Sequence, residues 1–132
     1  MKTLQPPGWA LPKGYANGVE ARGRTVFVAG QIGWDAQQKL VAHGFVEQAA
    51  QALQNVVAVL REAGAGPEHV VRLTWYVVDK REYVASLARL GERYRAIMGR
   101  HYPAMSAVQV SALIEDGARV EIEATAVVPD AA

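Results

Sequence analysis

The side chains of this sequence that could do chemistry are few, and their spacing removes several chemistries at once. His43, His69 and His101 stand at loop or element ends without ligand-like spacing, so no metal site is expected. Ser86, Ser106 and Ser111 lack a Gly-x-Ser-x-Gly elbow, which argues against a serine hydrolase triad. Gly30-Gln31-Ile32-Gly33 lacks the Lys-Ser/Thr pair and the helix that a phosphate-cradling loop needs. There is no cysteine, hence no thiolate nucleophile, no thiolate zinc site and no disulfide, a composition compatible with a reducing cytosol. Glu121 and Glu123 remain, two residues apart on one side of an apolar segment, together with Arg119 and Thr125. Carboxylates in such a row ordinarily sit in water or pair with Arg119 or a neighbouring strand. Arg72 and Arg119 read as surface or salt-bridging groups. Arg89, Arg93, Arg95 and Arg100 read as a solvated helix face. Trp34 and Trp75 read as core or interface residues.

The whole chain supports the same restraint. Its 132 residues suit a single domain, residues 1–132, with enough core to need no staples. Fourteen basic residues against 13 acidic leave a formal net charge of +1. Phosphate binding usually needs a clear basic excess, so no nucleic-acid partner is expected. No window approaches the roughly 20 apolar residues of a membrane span, so no membrane partner is expected and a cytoplasmic location is.

The elements that must position these groups follow from periodicity. Residues 1–14, with three prolines and two glycines, read as an extended arm. Residues 15–22 alternate weakly as a strand, and Gly23-Arg24 marks a turn. Residues 25–32 and 70–78 read as strands apolar on both faces. Residues 45–63 carry a helical stripe (Val46, Ala49, Leu53, Val56, Val57, Leu60), with Gly64 where a C-terminal cap belongs. Asp79 and Glu82 have capping-box spacing and open a second helix with Tyr83, Leu87, Leu90, Tyr94 and Ile97 on one side. Strands follow at about 105–112 and 119–128, joined by a turn at Glu115-Asp116-Gly117. The order β-β-α-β-α-β-β predicts an α+β fold, a mixed sheet with two helices on one face. Two helices cover one face only, so strands greasy on both sides predict association with further copies.

Several segments, in order and in register from about residue 13 to 128, resemble the Rid (YjgF) family of reactive intermediate deaminases. Lys-Gly-Tyr-Ala-Asn-Gly at 13–18 is similar to that family's Gly-Pro-Tyr-x-x-Gly. Val-Phe-Val-Ala-Gly-Gln-Ile at 26–32 is similar to its (Val/Ile)-Ser-Gly-Gln-(Ile/Leu). The helix from Gln48 to Gly64 carries its Leu53 and Asn55 positions, and 71–79 its next strand. Tyr-Pro-Ala-Met-Ser at 102–106 and Val-Glu-Ile-Glu-Ala at 120–124 match its C-terminal signature. Within that signature the deaminase branch has Pro-Ala-Arg-Ser; here the third position is Met105. Ala29 stands where a serine is common, and the region around Gly91 has no asparagine of the kind many deaminase members carry.

The resemblance implies a chorismate-mutase-like subunit in a homotrimer with a barrel-like centre and small-molecule clefts between subunits. It implies hydrolysis of enamines or imines to a keto compound and ammonia without metal or cofactor. Glu121 falls on the position that orients or activates water, and Tyr15 on a pocket tyrosine. Gly30, Gln31, Met105 and Ser106 fall on the cleft lining. Met105 replaces the arginine that grips a substrate carboxylate with its planar fork of donors; a thioether cannot do so. Two functions of different class therefore stand open: a deaminase whose substrate is held otherwise, and a non-catalytic binding trimer with the same cleft.

Overall fold

A computed structural model describes residues 1–130. Its main sheet has four strands in the order β3-β6-β4-β5. These are β3 (Arg24–Gln31), β4 (Val70–Val77), β5 (Ala104–Gln109) and β6 (Val120–Val128). β6 runs antiparallel to both β3 and β4, whereas β5 runs parallel to β4. A separate ribbon pairs β1 (Lys2–Leu4) with β2 (Gly18–Glu20). The long helix α1 spans Phe45–Glu62 and packs on the sheet and on a second helical segment. The α+β layer with its mixed sheet and helices on one face is as expected from the sequence.

The core lies between that helical layer and one face of the sheet. Leu53, Val56 and Leu60 of α1 meet Val70, Leu73, Trp75, Val120, Ile122 and Ala126 there, all buried. The α1 stripe read from the sequence is the buried stripe, with Phe45, Gln48, Ala50 and Ala52 added at its edges. The helix ends as its composition requires. Gly64 has φ +69°, a conformation glycine adopts without cost, and Ala65 N donates to Leu60 O at 3.0 Å.

Four details depart from the sequence reading. The first strand is shorter than 15–22 and pairs with β1, so the N-terminal arm contains a strand; among the described residues the segment pairs with the main sheet only at the Ala16–Ala104 bridge to β5. The second helix is two: α2 (Lys80–Ala85) and α3 (Leu87–Met98), meeting at Ser86, whose φ of −104° and ψ of 6° lie outside the helical range. Asp79 is the N-cap, accepting from Arg81 N at 2.9 Å, but Glu82 does not complete a capping box. Its carboxylate is taken by Arg119, 3.1 Å away. Finally, β3 and β4 are not greasy on both faces. The side of the sheet away from the helices presents Arg72, Thr74 and Tyr76 from β4, Glu121, Glu123 and Thr125 from β6, and a bare Phe27 at 78 % exposure from β3. A run of β-branched and aromatic residues conceals this alternation, because Thr and Tyr propagate a strand as well as Val does.

Candidate functional site

On the open face, the register between β3 and β6 slips. Val28 is opposite Ala124, yet Gln31 is opposite Ile122, so β3 holds one extra residue at 29–30. Such a bulge kinks its strand and re-aims backbone, a device frequent beside active sites. Here it presses Gly30 against Glu121: a Cβ at position 30 would lie 2.2 Å from Glu121 Oε2 and 2.7 Å from its Cδ. Only glycine fits while the carboxylate stays. Gln31, at the end of the bulge, folds its amide back to Ala29 O at 3.1 Å. The structure thus brings Gly30 and Glu121 together, while Gln31 stands opposite Ile122, which is buried towards the helices.

Glu123, two residues on, accepts from the Tyr76 hydroxyl at 2.7 Å. That hydrogen bond is the main reason the Tyr76 phenol is held above its ordinary range, with desolvation and the charges of Glu123 and Glu121 adding to it. Tyr76 stands directly across from Glu121 in the β4–β6 register. The open face therefore carries a two-carboxylate, one-phenol cluster, with Arg72 nearby. Arg119 is not available to it; its guanidinium is spent on Glu82 and on His43 O at 2.8 Å.

Met105 lies on the other side of the sheet. Its partner in β4 is Leu73, which points to the helices, and Met105 packs on the core edge. It lines a pocket of about 330 Å³ with Trp75, Tyr83, Leu90, Tyr94 and Tyr102. Tyr94 and Tyr102 stack at 5.5 Å with planes 13° apart, and Trp75 meets Tyr83 edge-on at 6.0 Å. The segment 13–16 runs along the free edge of β5, where Ala16 N donates to Pro103 O at 2.9 Å. This brings Lys13 and Gly14 to the same pocket and leaves Tyr15 exposed on its flank, beside His101 and Tyr102. Ser106, opposite Thr74, turns back to the open face. Within one chain, then, Met105 and Tyr15 lie at the β5 edge, Glu121, Gly30 and Ser106 lie on the open face, and Gln31 is paired with the core-facing Ile122. One subunit does not assemble the six residues into one site.

Two supports of this arrangement stood in the sequence only as positions of the helix pattern, with no role read for them. Gln48 is wholly buried on α1, where its amide donates to Ala42 O and Gly117 O, both at 3.0 Å, and accepts from Arg119 N at 2.8 Å. Asn55 donates to Ile32 O at 3.1 Å and Trp34 O at 2.9 Å, anchoring the chain just after the bulge. A polar residue inside an apolar helical stripe was the available signal for Gln48. The aromatic pocket was missed because Tyr83 and Tyr94 fall on a helical stripe that reads as plain core. Among the described residues no group of His, Asp and Glu is placed to hold a metal ion. The four arginines read as one helix face do not share one role either: Arg89, Arg93 and Arg95 lie on α3, where Arg93 pairs with Glu47 at 2.7 Å, and Arg100 lies beyond its end.

This fold, with its bulged strand beside a terminal-strand carboxylate, defines a known class: residues 10–128 match the family model described as Endoribonuclease L-PSP. The chain is 35 % identical over 128 residues to a human 2-iminobutanoate/2-iminopropanoate deaminase, covering 96 % of this chain and 88 % of that one. A crystal structure of a conserved Rid-family protein of unknown function from Yersinia pestis superposes with a TM-score of 0.82 at 36 % identity, covering 96 % and 98 % of the two chains. Escherichia coli TdcF with bound serine gives 0.69 at 30 % identity, with 96 % and 98 % covered. The chain belongs to the Rid/YjgF family.

Proposed function

We propose that this chain is a cofactor-independent hydrolytic deaminase of a reactive enamine or imine, working as a homotrimer with its clefts between subunits. The observation that carries the reading is the Gly30–Glu121 packing, which reserves backbone space for one carboxylate on an open strand face. The deaminase names of relatives at 35–40 % identity support the reaction class. An enamine first tautomerises to its imine. Water adds to the imine carbon as the Glu121 carboxylate accepts its proton. That proton passes to nitrogen to give a carbinolamine; its hydroxyl proton then moves by way of the same carboxylate to the amine, the C–N bond breaks, and a keto compound and ammonia leave.

The division of the six residues between two sides of the sheet supports the intersubunit position. A junction is where the open face of one copy meets the β5 edge of the next, and Glu121 of the one then faces Met105 and Tyr15 of the other. Gly30 and Gln31 shape the backbone wall and Ser106 lines the seam. A formal net charge of +1 gives no support to RNA as the substrate. Ammonia release from a panel of enzymatically generated imines tests the reaction. Turnover above buffer that Glu121→Ala abolishes is expected; turnover that survives Glu121→Ala overturns it. Met105 favours one second reading, a non-catalytic binding trimer, whose signature is ligand-induced thermal stabilisation with no turnover of any imine.

A further inference from the structure

The pocket behind Met105 holds a combination that a plain core edge does not explain. Trp75 is only 3 % exposed, and its indole N–H is the one buried side-chain polar atom without a partner among the described residues. Buried donors nearly always have an acceptor; this one is closed off from solvent, so a ligand oxygen reaches it only where a neighbouring side chain of the pocket gives way. Above the aromatic walls stands Arg95 of α3, exposed, with no ion pair among the described residues. The helix is cut away beneath it: Gly91, one turn earlier, would place a Cβ 3.1 Å from Arg95 Nη1. Glycine inside a helix is less stable than alanine, so its presence here needs a reason. The room it gives lets the guanidinium lie back over the pocket. Lys13 adds a second cation at the rim.

We propose that Arg95 is the anion anchor of this chain, in place of an arginine on β5, and that the pocket beneath it selects imino acids bearing an oxygen-substituted ring. The proposal rests on the deaminase reading for its reaction but not for its binding. The carboxylate of the ligand sits on Arg95 and Lys13. Its ring lies among Tyr83, Tyr94 and Tyr102, and its ring oxygen accepts from Trp75. Met105 is what makes the room, since a flexible thioether yields to a ring and contacts it favourably, whereas an arginine there would fill the pocket and grip a small acid instead.

The test is calorimetric binding of two keto acids, the products such imines would give: 4-hydroxyphenylpyruvate and pyruvate. The aromatic acid is expected to bind the full-length protein at least about tenfold more tightly. Arg95→Gln should weaken that binding by on the order of ten- to a hundredfold, the cost of one charge-assisted contact, and Arg95→Lys should restore part of it. Met105→Arg should reverse the preference toward pyruvate. Equal binding of both acids, or aromatic binding unchanged in Arg95→Gln, overturns the proposal. Ammonia release separates the two levels. Selective, Arg95-dependent binding without turnover removes the deaminase and leaves the anchor. Turnover with a preference for the imine of pyruvate removes the anchor and leaves the deaminase.

Discussion

A carboxylate holds position 30 to glycine. Gly30→Ala is expected to displace the Glu121 side chain, the softer of the two partners, and so to lower ammonia release by at least about tenfold while far-ultraviolet circular dichroism stays that of the parent. Tyr94 carries a different residue-scale consequence. Burial, then the charge of Tyr102, raises its phenol well above the ordinary value of 10.0, and its hydroxyl donates to His101 O at 2.6 Å. A group whose folded value is raised stabilises fully below its unfolded value, and that stability is lost as pH climbs through the folded one. Denaturant midpoints should therefore fall steeply only above about pH 10, and Tyr94→Phe should flatten that fall while costing about 0.5–1.5 kcal/mol at neutral pH. At this scale the sequence was partly legible. Glu121, Gly30 and Met105 stood out by motif position. Arg95 and Trp75 did not, because a helix arginine and a strand tryptophan look alike whether or not a pocket lies between them.

Elements were legible where one periodicity governed and obscure where a side chain chose a distant partner. α1 declared itself by its stripe and by Gly64. The break at Ser86 has no proline or glycine to announce it, and the capping box at Asp79 was lost because Glu82 finds Arg119, a residue 37 positions away. Gln48 is the polar pin between α1 and the chain entering β6. Gln48→Leu keeps volume but strands two carbonyls and one N–H. The expected cost is at least about 2 kcal/mol in urea unfolding, against near-neutrality for the exposed Gln54→Leu.

For the whole molecule, the sequence led to association by a premise the structure corrects. The open face is not greasy throughout but a polar field of Arg72, Thr74, Glu121 and Glu123 around the exposed ring of Phe27. A face of that kind suits a junction that must also admit water and a polar ligand, which a dry seam would not. Sedimentation is expected to give three chain masses. Phe27→Glu, which sets a charge where copies are proposed to meet, should shift the protein toward the single chain.

The order of strands has one more consequence. β3 and β4 touch no common ladder except through β6, the last strand along the chain, which fills the gap between them. A growing polypeptide can form α1 as it emerges, but its sheet has no middle until residues 120–128 arrive. Acquisition of the native sheet must wait for residues 120–128, and a product interrupted before that point offers two unmatched ladders to its neighbours, an invitation to aggregation.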